Sequence, residues 1–215
     1  MGIGDWGLGI GDWVFGRDGA GHKSAPHRPA LDTLLLRNRS FRGYDKEYVV
    51  HRRQLDAMIA VNPKVASSIN LQRLRFRPVV KGPEADAVNR HIRMGSGLPE
   101  LHLPFPGTEP EAFIVVCSTV PENPGIDIDL GISLQSMLLK AVEMGLGGLI
   151  IRNFDREPVR EALGLPFEPV CVLAVGKPAE RIELVPVHEG DNLGYYREDG
   201  VHYVPKLTAE DLTLE

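Results

Sequence analysis

The sequence predicts a single domain that combines α-helices and β-strands, preceded by an extension over residues 1–30. From Leu31 onward, segments with helical periodicity and segments with the alternation of strands follow one another. A chain of 215 residues is also near the size at which one hydrophobic core still suffices. One helical segment is so apolar that we expect it to lie in that core.

The extension differs in composition from the rest of the chain. The segment Gly2–Trp6 recurs as Gly9–Trp13, and a polar stretch rich in Gly, His and Pro follows as far as Pro29. Residues 2–7 also match the G-x-G-x-x-G pattern of dinucleotide binding, which has meaning only when a strand leads into the glycines and a helix leaves them. No strand pattern precedes them. We therefore assign the extension no role and place the domain in residues 31–215.

The first half of the domain carries alternating helix and strand signals. Helices are predicted around Leu31–Leu35, around Leu55–Ile59 and within residues 82–93. The stretch Leu74–Val80 alternates like a half-exposed strand, and its Pro78 indicates either the end of the strand or the edge of a sheet. Residues 94–110 are rich in Gly and Pro, and a loop this long is more often functional than idle, so we expect it to shape a binding pocket.

The second half is more apolar. We predict buried strands at Phe113–Val116, Leu149–Ile151 and Val170–Val175, a helix at Asp155–Leu163, and an extended tail at Val201–Val204.

The predicted core helix runs over Asp127–Met144. No charged residue occurs between Leu130 and Leu139, and apolar residues lie nearly all round the helical axis. A helix without a polar face is surrounded on most sides. Asp127 is a candidate N-cap, and Gly145 can supply the left-handed residue that ends the helix.

Three glycines follow this helix within the segment Gly145–Gly148. Their order is helix, glycines, strand, so they lie at the negative end of a helix dipole, which repels phosphate. Two interpretations stay open. The glycines either form a cap and a strand entry, or they leave a bare backbone that a flat ring approaches closely.

Two further segments carry polar groups suited to a ligand. In Arg39-Ser40-Phe41-Arg42, two guanidinium groups flank a hydroxyl and can hold an anion; the alternative is a solvated basic helix end. In Ser67-Ser68-Ile69-Asn70-Leu71-Gln72, hydroxyls and amides can recognise an imide edge; the alternative is an ordinary polar turn.

Composition excludes several classes of function. The chain has 24 Lys and Arg against 29 Asp and Glu, a net charge of -5 that does not favour nucleic acid. No apolar run is long enough for a membrane helix, and we expect no membrane association. The histidines lack metal-ligand spacing, and we expect no metal site. Both cysteines, Cys117 and Cys171, lie in apolar runs, which together with the absence of a signal-peptide pattern indicates a cytoplasmic protein.

Taken in chain order, these segments resemble the nitroreductase family of FMN-dependent oxidoreductases. The matching segments are Arg39–Arg42, Ser67–Gln72, Asp129–Gln135, Gly145–Gly148, Leu163–Pro166, Leu173–Pro178 and His202–Lys206. No single motif is specific; the order and the spacing carry the resemblance.

The resemblance implies an α+β fold with three α-β-α layers, a mixed and mainly antiparallel sheet, a central buried helix and an intertwined homodimer with FMN at the subunit interface. It also implies that the C-terminal segment wraps over the partner. By matching positions, Arg39, Ser40 and Arg42 hold the phosphate and the pyrimidine side of FMN, and Lys206 reaches the phosphate. The other implied FMN contacts are Ser67, Ser68, Asn70 and Gln72, from a loop of the other subunit, and Gly147 and Gly148, which lie against the isoalloxazine.

The implied activity is hydride transfer from NAD(P)H through the flavin to a small acceptor such as a nitroaromatic or a quinone, in a ping-pong mechanism. The flavin supplies the chemistry, so no catalytic side chain is assigned. Three positions depart from the family pattern: Asn38 and Leu207 replace basic residues, and Arg73 replaces a proline. These departures motivate an alternative, a flavin-binding carrier, sensor or degenerate member of the same fold without turnover.

Overall fold

A computed structural model describes residues 31–95 and 97–214 of the chain. The predicted extension and its glycine motif lie outside the described residues. The helices are α1 (Leu31–Arg37), α2 (Arg52–Ile59), α3 (Pro83–His91), α4 (Pro124–Glu143) and α5 (Arg156–Leu163). The strands are β1 (Leu74–Val79), β2 (Ala112–Ser118), β3 (Gly147–Ile151), β4 (Glu168–Gly176), β5 (Arg181–Val187), β6 (Tyr196–Glu198) and β7 (Val201–Leu207).

Four strands form the main sheet, in the order β1-β2-β4-β3, and every neighbouring pair is antiparallel. The predicted edge position of the strand that contains Pro78 is confirmed, because β1 has a single neighbour. All seven residues of β2 are buried, as expected for a central strand covered on both faces.

Side chains of the central strands alternate between two hydrophobic clusters, one on each face of the sheet. Ile114 and Leu173 face the cluster that contains the buried residues of α2 and α4. Phe113 and Val172 face the other cluster, which contains the buried residues of α3 and α5. Because a sheet with two apolar faces has to be covered twice, the result is three layers. The predicted α+β, three-layer fold is confirmed.

The core helix begins earlier than predicted. Helix α4 starts at Pro124, and the Oδ1 atom of Asn123 accepts hydrogen bonds from the backbone N–H groups of Gly125 and Ile126, at 3.0 and 3.3 Å. The prediction that Asp127 caps this helix was therefore wrong; its carboxylate pairs with Arg152 instead. Proline favours the first helical position, where no N–H is needed, and this explains the earlier start.

Within one chain, α4 is buried on one side and open on the other. Met137 and Leu138 pack against the sheet, whereas the side chain of Ile128 is 58% exposed. Gly131 and Gln135, one and two turns further along, are exposed as well. Among the described helices, none has both the length and the apolar character needed to cross a membrane.

The sequence analysis missed a second sheet. Strand β7 continues the predicted extended tail as far as Leu207 and lies between β5, to which it is parallel, and β6, to which it is antiparallel. Strand β5 is half-exposed and contains Pro186, and β6 has only three residues, so neither carries a strong local signal. Pairing within the chain creates this sheet.

The glycines after α4 have a packing role. Gly145 has a φ of 75° and ends the helix, as predicted, but β3 already begins at Gly147 rather than at Leu149. A Cβ atom on Gly147 would lie 2.4 Å from the Phe41 ring, and one on Gly148 would lie 2.4 Å from the carbonyl oxygen of Ala174. Side chains are excluded here because the protein itself fills the space.

Replacement of Gly148 by Ala should therefore destabilise the fold. The added methyl group would collide with a backbone oxygen of β4 that cannot move without breaking the sheet, and we expect the free energy of unfolding to fall by about 1–3 kcal/mol. Urea denaturation followed by circular dichroism measures this change.

Gly43→Ala is a suitable control, since a Cβ atom there would meet Thr108 at an ordinary 3.6 Å. Its unfolding free energy should stay within about 1 kcal/mol of the wild-type value. Equal behaviour of the two variants would contradict the packing argument.

Candidate active site

The segment Arg39–Arg42 lies along the outer edge of β3. Ser40 and Gly148 form a parallel bridge, and the backbone N–H of Phe41 donates to the carbonyl oxygen of Gly148 at 3.1 Å. The Phe41 ring is buried against Gly147, while the flanking Arg39, Ser40 and Arg42 line the neighbouring cleft. Burial of one aromatic ring therefore sets the position of three polar residues.

This cleft has a volume of about 420 Å³ and lies between the β3 edge of the main sheet and the second sheet. That volume falls within the range of small-molecule sites. Its wall residues come from α1, α4, β3, β5 and β7 and from the segments beside them: Leu35, Asn38, Arg39, Ser40, Arg42, Gln135, Leu138, Ile150, Ile182, Tyr195, His202, Val204 and Lys206.

Three cations in this wall have no carboxylate partner among the residues that the structure describes: Arg39, Arg42 and Lys206. Some of the other basic side chains are paired, such as Arg93 with Asp155 and Arg197 with Glu180. The Nε–H groups of Arg39 and Arg42 are buried and have no hydrogen-bond acceptor among the described residues. Burial also lowers the pKa of the Arg39 guanidinium. Unpaired guanidinium groups in a cleft are suited to a phosphate or carboxylate ligand.

A buried carboxylate organises this region. Glu180 accepts hydrogen bonds from the backbone N–H groups of Arg42 and Gly43, the latter at 3.0 Å, and from the guanidinium of Arg197. The guanidinium of Arg42 donates to the carbonyl oxygen of Ser40 at 3.1 Å and lies over the Tyr195 ring, with its Cζ atom 5.1 Å from the centroid. The carboxylate thus fixes the backbone of Arg42 without neutralising its charge.

His202 is the most deeply buried polar residue of the cleft, with 1% of its surface exposed. The centroid of its ring lies 5.2 Å from that of Tyr195, and its Nδ1 atom has no hydrogen-bond partner among the residues that the structure describes. Burial, and then the positive charges of Arg197 and Arg42, lower the pKa of His202, while Glu180 opposes this shift. The imidazole is therefore held neutral beside a group of cations.

The long loop meets the cleft from the side. The backbone N–H of Gly97 donates to the Tyr195 hydroxyl at 3.1 Å, and the Arg197 guanidinium lies 5.5 Å from the centroid of Phe105. A neighbouring cavity of about 240 Å³ is lined by Met94 and Gly95 and shares Arg42 and Ile150 with the cleft. Met94 and Gly95 thus line this adjoining cavity, whereas none of the described residues of 94–110 lines the cleft itself. That the loop shapes the binding pocket stays a prediction.

The structure brings together only part of the predicted site. Arg39, Ser40, Arg42 and Lys206 line the cleft, whereas Ser67 and Gln72 line a separate cavity of about 290 Å³ beside the first half of α4. Ser68 and Asn70 belong to the same segment as these two. Gly147 and Gly148 are buried beside the cleft and do not line it. Their role as flavin contacts stays a prediction.

Sequence reasoning missed several of the wall residues as site residues, among them Gln135, Ile150, Tyr195 and His202. Gln135 and His202 lie within segments that matched the family, which was the available signal. Ile150 is exposed on an otherwise buried strand, and only the coordinates reveal this. Tyr195 reaches the cleft because β6 and β7 pair, which no local pattern indicates.

Comparisons with known proteins identify the family and the fold of the chain. The sequence profile of the Nitroreductase family matches residues 35–177. The solved structures that share the fold include a nitroreductase family protein from Clostridium difficile 630, with 22% identity over 71% of this chain and 86% of that chain and a TM-score of 0.55. No curated protein matches the sequence.

Two further structures share the fold. An FMN and NADPH-dependent nitroreductase from Sphigopyxis sp. strain HMH has 19% identity over 70% of this chain and 89% of that chain, with a TM-score of 0.57. Nitroreductase A from Vibrio parahaemolyticus RIMD 2210633 has 22% identity over 75% of each chain, with a TM-score of 0.56. At these identities the likeness establishes a common fold, and the profile match establishes that the chain belongs to the nitroreductase family.

The buried neutral imidazole predicts a pH dependence of stability. The unfolded chain takes up a proton at His202 near the ordinary pKa of 6.5, whereas the native protein takes it up only at a lower pH. The unfolded state then binds more protons, so the free energy of unfolding should fall as the pH drops below that value.

Urea denaturation between about pH 7.5 and about pH 5.5 measures this slope. The variant His202→Phe keeps a ring in the same space and should have a flatter profile over this interval. If its profile is as steep as that of the wild type, His202 is not the group responsible.

Proposed function

We propose that the protein binds FMN in this cleft and is an NAD(P)H-dependent flavin oxidoreductase. The observation that carries the proposal is the convergence of three unpaired cations, Arg39, Arg42 and Lys206, on one cleft of ligand size. They come from the segment after α1 and from β7, which are far apart in the sequence. The net charge of the chain is -5, so unpaired cations at one place call for an anionic ligand.

The residues present fit FMN. The buried and unpartnered Nε groups of Arg39 and Arg42, with the Lys206 ammonium, match a phosphate group and an electron-rich ring edge. Ser40 lies between the two arginines in the sequence and lines the same cleft. The remaining wall offers apolar surface for a flat ring system, from Leu35, Leu138, Ile150, Ile182 and Val204.

The neutral state of His202 has a consequence for binding. An imidazolium would add a fourth positive charge to the cleft wall, whereas a neutral imidazole adds a ring surface and a hydrogen-bonding nitrogen. The three permanent cations then account for the attraction of the phosphate.

When bound, FMN supplies the chemistry: it accepts a hydride from NAD(P)H and passes the electrons to a small acceptor, such as a nitroaromatic or a quinone, in a ping-pong sequence. The protein binds and orients the flavin and leaves one ring face accessible. We assign no catalytic side chain, because this chemistry requires none.

We propose further that the protein acts as a homodimer with one cleft at each end of the subunit interface. The exposed side chains of Ile128 on α4 and of Ile69 and Leu71 in the segment before β1 offer apolar surface to a partner. In this arrangement Ser67, Ser68, Asn70 and Gln72 of one protomer contact the flavin held by its partner. Their separation from the cleft within one chain is consistent with such an arrangement.

A cytoplasmic location is also proposed. Its support is that Cys117 and Cys171 are both free thiols buried in the sheet. Burial raises the pKa of Cys117 to about 11 and that of Cys171 to about 12, so neither thiol is reactive at neutral pH.

Flavin binding and reduction test the proposed activity. The purified protein should be yellow or take up added FMN, and NADH or NADPH should bleach the flavin absorbance in the absence of oxygen. A yellow protein that neither nucleotide bleaches would favour the flavin-binding carrier or sensor. A protein that takes up no FMN would contradict both functions.

The cations should determine the affinity. In fluorescence titrations, Lys206→Ala and Arg39→Ala should each weaken FMN binding about tenfold or more, because each removes charge-assisted hydrogen bonds to the phosphate. Arg52→Ala is the matched control: it removes one positive charge from α2, where Arg52 pairs with Asp56 in solvent. Equal losses in all three variants would indicate only an effect of net charge.

The dimer has its own test. Sedimentation equilibrium should give a mass about twice the 23.7 kDa of one chain. The substitution Ile128→Arg, on the open side of α4, should lower the measured mass to that of one chain, because the substitution places a charge in the interface. Val49→Arg, at a position 46% exposed before α2, is the control and should remain dimeric. A monomeric wild-type protein would contradict the proposal.

A further inference from the structure

The segment Ser67–Gln72 has an unusual backbone. Three residues without the freedom of glycine have left-handed φ values: 50° at Ile69, 55° at Asn70 and 48° at Gln72. Ile69 is β-branched, the type of residue for which this conformation is least favourable, and its side chain is 90% exposed. A conformation of this kind persists only where surrounding contacts impose it, and such sites are concentrated where ligands bind.

One buried carboxylate supplies the strongest of these contacts. Asp129, on α4, is 4% exposed, and its Oδ1 atom accepts the backbone N–H of Ser68 at 2.6 Å. Among the described residues it forms no ion pair, unlike Asp127 on the same helix, which pairs with Arg152. A carboxylate with little solvent exposure accepts a backbone N–H strongly, and at 2.6 Å this hydrogen bond is a short one.

Further hydrogen bonds connect the rest of the segment to Ser68 and to α4. The Ser68 hydroxyl donates to the carbonyl oxygen of Gly125 at 3.1 Å, which gives a second tie to α4. The backbone N–H groups of Asn70 and Leu71 donate to the carbonyl oxygens of Ser67 and Ser68, at 3.0 and 3.1 Å. The turn that carries Asn70 is therefore built directly on the residues that Asp129 holds.

The turn presents its polar groups outward as a unit. The Gln72 amide donates to the Asn70 side-chain oxygen at 3.1 Å, and both side chains are exposed. With its oxygen engaged by Gln72, the Asn70 amide has its N–H groups available for a ligand acceptor. The two amides are thus aligned with each other on the exposed side of a strained turn.

We infer that Asp129 is a positioning residue, which holds the turn at Ser67–Gln72 in its strained conformation so that the amides of Asn70 and Gln72 meet the polar ring edge of the flavin in a second copy of this chain. The inference rests on the proposed function for the identity of the ligand. The holding role of Asp129 is independent of that identity and has a readout of its own.

The test compares Asp129→Ala and Asp129→Asn with Asp127→Asn, a matched change of charge two residues away on the exposed side of the same helix. Hydrogen exchange of the Asn70 and Leu71 amides should be faster in the two Asp129 variants, most of all in Asp129→Ala, and unchanged in Asp127→Asn. The amides of α4 between Ser133 and Ala141 should exchange at the wild-type rate in all three proteins. The Asp129→Asn variant retains an acceptor oxygen of the same shape, so it remains informative if Asp129→Ala fails to fold.

The same proteins are then titrated with FMN. The affinity should fall about tenfold in Asp129→Ala, by less in Asp129→Asn, and not in Asp127→Asn. Asn70→Ala should cause a loss similar to that of Asp129→Ala, and the double variant should lose no more than the larger single loss, because Asp129 acts through the turn. Additive losses would mean that Asp129 acts by another route and would overturn the inference.

The two measurements separate the possible failures. If the wild-type protein binds no FMN, the proposed function is wrong and the flavin-facing part of this inference falls with it. If FMN binds but the exchange of Asn70 and Leu71 is the same in all variants, the proposed function stands and the role of Asp129 is overturned.

Discussion

The burial of Phe41 against Gly147 is the contact on which the cleft depends. Because neither Gly147 nor Gly148 has a side chain, the segment after α1 can lie directly along β3, with its backbone bonded to Gly148. The ring points into the core and the flanking residues point away from it. The space that the two glycines leave free is filled by the Phe41 ring, and this packing determines the positions of Arg39 and Arg42.

Electrostatics then gives this arrangement its chemical character. Glu180 is buried and would neutralise the cleft if it paired with Arg42, but its oxygens are occupied by two backbone N–H groups and by Arg197. Arg42 thus keeps its charge and stacks on Tyr195. The same cations disfavour a charged His202, so that the cleft contains three permanent positive charges and a neutral imidazole.

Helix α4 connects the features that we relate to function. Its Gln135 and Leu138 line the cleft, its Asp129 holds the strained turn near its start, and its open side offers apolar surface. A single straight helix maintains the distance between these places, since its residues move together. The geometry of the proposed flavin site therefore depends on a rigid element that is anchored in the core.

The sequence by itself determined the local elements and the residues that mark the family. Helical and strand periodicity, Pro78 at an edge, Gly145 after α4 and the spacing of the arginine, glycine and lysine segments were all readable, because each depends on neighbours along the chain. Local signals also gave a wrong prediction: Asp127 was the predicted N-cap of α4, although the helix begins at Pro124 with Asn123 as its N-cap. Only the tertiary structure decided that β5, β6 and β7 form a second sheet, that Tyr195 and His202 line the cleft, and that the glycines make room for Phe41. Each of these features depends on contacts between segments that are distant in the chain, and no local pattern specifies the partners in such contacts.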